Sequence, residues 1–156
     1  MKTSVRGFPV EVTIQNVVAS ARFKHAFDLN AIAKALPNVK YRPKVFPGLP
    51  FKLKSPKSCT LIFGTGRMIC TGTKSEKEAR KAILKVAREL RKAGIIVSSG
   101  RPDFAIQNIV ASVDLGEVSV DVEEAVYKLR KGVMYEPEQF PGAIYRMEDP
   151  KVVFLI

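Results

Sequence analysis

Two phenylalanines in matching turns carry the clearest chemistry: Phe46 in Val45-Phe46-Pro47-Gly48-Leu49 and Phe140 in Gln139-Phe140-Pro141-Gly142-Ala143. A bulky ring at an exposed turn is poorly solvated. Each ring therefore needs a place in the core as an anchor for its loop, which is the commoner use, or a partner to enter. A nucleic-acid duplex is such a partner, because apolar side chains wedged between base steps are offset by contact with the bent duplex. Lys44, Lys52, Lys54, Arg67 and Lys74 lie around the first of these turns and at neighbouring strand ends. The formal net charge of +11 favours an acidic partner, nucleic acid first. Catalytic and metal chemistry finds no support: there is no phosphate-binding glycine loop, and His25 has no nucleophile at a recognisable spacing. Cys59 and Cys70 sit in apolar runs, where small buried thiols are expected, not a disulfide or a metal site. No enzyme activity and no cofactor are expected.

The elements that must position these residues are organised by a repeat. Ile14-Gln15-Asn16-Val17-Val18-Ala19-Ser20 returns as Ile106-Gln107-Asn108-Ile109-Val110-Ala111-Ser112. So long a period implies a duplicated half-domain with a pseudo-twofold axis, not a solenoid. Residues 1–10 read as a mobile N-terminal extension, residues 11–100 as a complete first copy and residues 101–156 as an incomplete second one. In the first copy, residues 11–20 read as a strand, and Asp28 as the N-cap of a short helix over residues 29–36. Strands are expected over residues 39–45, 49–54, 58–63 and 67–71. Ser75 and Glu78 form a capping box for the longest helix, to about residue 93, with Gly94 ending it. The second copy repeats this order with a strand to residue 112, a helix over residues 122–130 and strands on either side of Phe140-Pro141-Gly142. Tyr41 matches Tyr135 and Phe46 matches Phe140, a separation of 94 in both cases. On that register Leu61-Ile62 matches Leu155-Ile156, and the counterpart of Phe63 falls beyond Ile156. The second copy is thus expected to lack its last strand and long helix, to be a fragment or have the gap filled by something else, and to leave backbone and an apolar face uncovered.

Strands such as residues 58–63 and 152–156 are apolar at nearly every position, so both of their faces must leave water. The helices suffice for one sheet face only. The other is left as an apolar floor with a basic rim, which suits the minor groove of DNA flanked by its phosphates. Charge is unevenly shared: residues 1–100 hold 20 basic and 5 acidic side chains, residues 101–156 hold 6 and 10. No run approaches a membrane span or a secretory signal, so an intracellular protein is expected.

Several motifs in the same order in both copies closely resemble those of the TATA-box-binding protein family in its archaeal form. They are the paired QN-V-A-S strands, the two Phe-Pro-Gly turns, Tyr135-Glu136-Pro137-Glu138-Gln139, and the run Leu61-Ile62-Phe63-Gly64-Thr65-Gly66-Arg67-Met68-Ile69-Cys70-Thr71-Gly72. The resemblance runs from about residue 11 to the end. It implies an α+β fold, a saddle of two pseudo-twofold repeats, with a curved antiparallel sheet and helices on the convex face. It also implies a transcription initiation factor that binds and bends TATA-like promoter DNA through the minor groove and recruits transcription factor B and the RNA polymerase assembly. Kinking of the minor groove by this family is an established device.

By the same resemblance, Asn16 and Asn108 contact base edges near the dyad, where A·T pairs present only acceptors. Val18, Val110, Leu61, Ile69 and Leu155 form the apolar floor, and Thr71 supports the central contacts. Phe46 and Phe63 are the wedges of the first half and Phe140 is one of the second, with Pro47 and Pro141 stiffening their loops. Lys52, Arg67, Lys74 and Arg146 contact phosphates. The acidic turn with Glu136, Glu138 and Gln139 is where transcription factor B docks. The resemblance also implies a cytoplasmic, nucleoid-associated location (nuclear in a eukaryote), while the uncovered apolar sheet leaves open a homodimer through the concave face when the protein is free of DNA. The basic residues Lys77, Arg80, Lys81, Lys85, Arg88, Arg91 and Lys92 fall on the long helix, on the side away from DNA. Net charge is therefore a weaker argument for DNA contact than it first looks. One rival keeps the fold as a truncated or divergent protein-interaction module without sequence-selective DNA binding. A second, an enzyme using such a half-domain as an accessory, finds no room here for a catalytic part.

Overall fold

The computed structural model describes residues 1–156 as an α+β chain with antiparallel strand pairing. A six-stranded sheet is built around β2 (Phe8–Arg22), a long strand rich in valine and alanine. Its order is β1 (Lys2–Val5), β2, β5 (Arg67–Thr73), β4 (Lys57–Ile62), β3 (Leu49–Lys54), and β6 (Asp103–Asp114) also pairs with β2. The lead-in expected to be mobile carries β1, and the N-terminal ammonium donates to the Val12 carbonyl at 2.7 Å.

Helix α1 (Leu29–Ala35) starts where Asp28 accepts the Ala31 N–H at 3.0 Å. Helix α2 (Glu76–Lys92) starts at Ser75, whose hydroxyl accepts the Glu78 N–H at 3.1 Å. The Glu78 carboxylate reaches back to the Lys74 N–H at 3.0 Å, one residue before the cap, so the capping box is met in a shifted form. At the other end Gly94, at φ +80°, lets Ile95 N–H reach Leu90 O and Gly94 N–H reach Arg91 O, both at 3.0 Å, a Schellman stop.

The core lies between α2 and one face of this sheet. Ala79, Ala82, Ile83, Val86, Ala87 and Leu90 form the helix stripe; it is buried with Val17, Ala19 and Ala21 of β2, Ile62 of β4, and Met68 and Cys70 of β5. Small side chains on both elements let the helix approach closely. The opposite, open face carries the alternating partners of these residues.

Residues 39–45 are not a strand. The Arg42 carbonyl accepts both the Val45 and the Phe46 N–H, at 2.9 and 3.0 Å, which coils the chain into a turn after Pro43. Val39 and Tyr41 are apolar because they pack on the core from a loop.

By contacts the chain divides into two compact units. One is Met1–Thr3 with Glu11–Asp114; the other is Ser4–Val10 with Leu115–Ile156. Strand β6, the first of the second copy, therefore belongs with the first unit, held by its long pairing with β2. In the second unit α3 (Val122–Leu129) is capped by Asp121 and buries no side chain. Strands β7 (Val133–Met134), β8 (Ile144–Met147) and β9 (Val152–Leu155) form an antiparallel sheet in that order. Ala143 is buried, and its N–H and C=O pair with those of Ile156 at 2.9 Å each. Burial differs between the copies: Val17 is 2% exposed under α2, while its repeat partner Ile109 is 55% exposed. No helix is long and apolar enough to cross a membrane.

Candidate nucleic-acid interface

The repeat is visible as local symmetry in the first unit. Val17 pairs with Ile109, its own counterpart, so the pseudo-twofold passes through this pair, with Asn16 opposite Val110 and Val18 opposite Asn108. The hydrogen bonds obey the same symmetry: Gln15 Nε2 donates to Ser112 Oγ and Gln107 Nε2 to Ser20 Oγ, each at 2.8 Å. Both glutamines sit where the register shifts, as bulged residues. Asn16 and Asn108 thus flank the dyad on adjacent strands.

Their surroundings differ. Between Thr73 and Cys70 the pairing of β5 with β2 shifts register, and Gly72 there takes φ +91°. Freed from the ladder, the Gly72 N–H donates to Asn16 Oδ1 at 2.7 Å. Asn16 Nδ2 donates to Thr71 Oγ1 at 3.1 Å, while the Thr71 hydroxyl lies 3.3 Å from Oδ1. Asn108 is exposed and its side chain makes no hydrogen bond.

Next to this centre runs an antiparallel row, Lys52 opposite Cys59 and Cys59 opposite Thr71, with Leu61 opposite Ile69 beside it. Cys59, Leu61, Ile69 and Thr71 are half-buried, as a floor open on one side requires. Burial pushes the Cys59 thiol above its ordinary value, and the Lys52 ammonium opposes this. Phe46 and Phe63 form an edge-to-face pair with centroids 6.0 Å apart. They close over Gly48, where an added Cβ would stand 2.7 Å from the Phe46 ring. Phe46 remains 42% exposed, so the loop anchors the ring without burying it. Arg67 lies at the start of β5 and Lys74 just before α2, both exposed.

In the second unit, Phe140 is also 42% exposed and closes over Gly142, where a Cβ would stand 2.9 Å from its ring. Leu155 is opposite Ile144, and Arg146 is opposite Val153 with an exposed side chain. Glu136, Pro137, Glu138 and Gln139 form the turn before Phe140, with the Glu136 carbonyl accepting the Gln139 and Phe140 N–H groups at 2.9 Å each. It is the same turn that Arg42 makes before Phe46. Val18 and Val110 lie on the strands beside the asparagines, and Pro47 and Pro141 follow their rings.

Sequence reasoning missed Gly72 as the group that holds Asn16. Its only signal was a glycine directly after Thr71 in an otherwise strand-like run. The roles of Gln15 and Gln107 were also missed, although both stand in the repeated stretch.

The family model described as transcription factor TFIID, or TATA-binding protein, matches residues 11–93 and 103–156. A TATA-box-binding protein of Sulfolobus acidocaldarius is 48% identical over 145 residues, spanning 93% of this chain and 72% of that protein. One from Methanocaldococcus jannaschii is 46% identical over 146 residues, spanning 94% and 78%. The solved structure of Methanococcus jannaschii TBP superposes with a TM-score of 0.81, covering 94% of this chain and 82% of that one. With both copies matched, in sequence and in fold, this chain belongs to the TATA-binding protein family of transcription factors.

Proposed function

We propose that this chain binds the minor groove of TATA-like promoter DNA on the open sheet face, bends it, and recruits transcription factor B and RNA polymerase. The family is one of non-enzymatic transcription factors, and the chain is not an enzyme. The observation that carries the reading is the symmetric centre, with Asn16 and Asn108 about a dyad on an apolar face. Minor-groove A·T edges offer acceptors to amide donors and nothing else polar. In the reading, Val18, Val110, Leu61, Ile69 and Leu155 lie against the groove floor, Thr71 supports Asn16, and Phe46, Phe63 and Phe140 wedge base steps beside Pro47 and Pro141. Lys52, Arg67, Lys74 and Arg146 take phosphates, and the Glu136, Glu138 and Gln139 turn takes transcription factor B. In the absence of DNA a homodimer through the open face covers the same apolar surface, and the working location is at the genome.

The test is a gel-shift titration on TATA-like and GC-rich duplexes at two salt concentrations. Tighter binding to the TATA-like duplex at both is expected; equal affinity removes the sequence-selective claim. The second reading, a protein-interaction module, draws on the exposed Ile109, Val113, Val118 and Val120. It predicts no DNA preference in the same titration.

A further inference from the structure

We propose that Arg22 and Arg67 form a cradle for one phosphate of the bound duplex, at the end of the central strands on the open sheet face, and that Asp103 tunes how tightly it is held. The inference rests on the DNA-binding reading above and deepens it.

Side-chain alternation places the three residues. Val17, Ala19 and Ala21 of β2 and Met68 and Cys70 of β5 are buried under α2, so Arg22 and Arg67, which alternate with them, belong to the open face. On β6 the Phe104 ring centre lies 4.0 Å from Arg80 Cζ of α2, which turns the neighbouring Asp103 to the open side. The strand register sets Arg22 between the other two, with Arg67 opposite it on β5 and Asp103 opposite it on β6. With Ser20, Ala105 and Gln107 they line a shallow hollow of about 340 Å³. Ser20 and Ala105 are small, and Gln107 is held by its bond to Ser20 Oγ at 2.8 Å, so the charged walls are Arg22, Arg67 and Asp103.

The chemistry of this group calls for an anion. Two guanidinium groups directly opposite across a strand pair repel each other. Neither makes a side-chain hydrogen bond or an ion pair within the chain. Together with the Asp103 carboxylate they keep one net positive charge, which one phosphodiester neutralises. Its two free oxygens offer an acceptor to each guanidinium fork. Asp103 offsets part of the arginine repulsion in the free protein and repels the phosphate in the complex. No duplicated motif points to this site, because Asp114 stands in the second copy where Arg22 stands in the first.

The experiment is a cycle between Arg22 and individual phosphates. The 156-residue chain and its variants are titrated on TATA-like duplexes in which one dyad-related pair of phosphates at a time is replaced by neutral methylphosphonates, so that either orientation meets the change. All three side chains are exposed, so their substitution leaves the core intact. Arg22→Ala should bind the unmodified duplex about tenfold more weakly. On one modified duplex that loss should shrink to no more than about twofold, and the loss from Arg67→Ala should shrink on the same duplex. Asp103→Asn should bind the unmodified duplex about two- to fivefold more tightly and gain nothing on that modified one. Arg88→Ala removes the same charge from α2 and should leave every affinity within about twofold, which separates a local contact from net charge. An Arg22→Ala loss that persists on every modified duplex, or that Arg88→Ala reproduces, overturns the proposal while leaving TATA binding intact. So does relief of the Arg22 and Arg67 losses at different phosphates, and a gain from Asp103→Asn that survives on the modified duplex removes the role given to Asp103. Loss of all preference for A·T over GC-rich DNA by the unaltered chain overturns the functional reading and this inference together.

Discussion

Phe46 shows how a loop can hold a ring and still leave it available. Gly48 provides the floor, Phe63 provides an edge, and the rest of the ring stays in water. If these rings are wedges, Phe46→Ala with Phe63→Ala should weaken binding to a TATA-like duplex by about 10- to 100-fold and reduce the bend, since unstacking is no longer driven. End-to-end energy transfer on a labelled duplex reports the bend, and an undiminished bend refutes the wedge assignment. Cys70 belongs to the same scale but acts on stability. Burial raises its thiol above the ordinary value of 9.0, partly opposed by the nearby Thr60 and Ser58 hydroxyls. Below pH 9 the thiol is protonated in both states and its contribution is complete; as pH rises towards the folded value, only the unfolded thiol ionises and that contribution is lost. Urea midpoints should therefore fall between pH 8 and pH 10 more steeply in the wild type than in Cys70→Ala. The residue-scale site was legible where a side chain type repeats, as with the asparagines and phenylalanines. Gly72 was not, because its contribution is a backbone N–H whose direction depends on a register shift.

At the scale of elements, the two copies of one strand have different fates. Val17 and Ile109 face each other across the dyad, but only Val17 lies under α2. Val17→Ala should cost about 1 to 3 kcal/mol in thermal or urea unfolding, and Ile109→Ala less than about 0.5 kcal/mol. Comparable losses would mean that something covers β6 in solution. Ser75→Ala should cost about 1 kcal/mol through loss of the α2 cap. Helix positions and the main strands were legible because caps, glycine stops and apolar stripes are local signals. Residues 39–45 were misread because their apolar side chains pack on the core from a turn. The Arg42 carbonyl and Pro43, rather than side-chain alternation, decide that backbone.

For the molecule as a whole, binding should respond to salt in proportion to the phosphates it neutralises. With Lys52, Arg67, Lys74 and Arg146 as contacts, log affinity should fall against log salt with a slope of about −3 to −4. Arg67→Ala should make the slope shallower by about one, while a slope that ignores this change removes Arg67 from the contact set. The basic side chains of α2 should leave the slope unaltered, since they project from the helix side of the sheet. Duplication was the most legible property of the chain, whereas membership of β6 in the first unit was not, because strand pairing across the dyad joins residues far apart in sequence. The duplicated turns before the two phenylalanines carry this furthest. Arg42-Pro43-Lys44-Val45 and Glu136-Pro137-Glu138-Gln139 close with the same pair of bonds to one carbonyl, although their charges are opposed. Their backbone is indifferent to the side chains it displays, so the two tetrapeptides are interchangeable cassettes through which evolution could reassign the company each half keeps without refolding it.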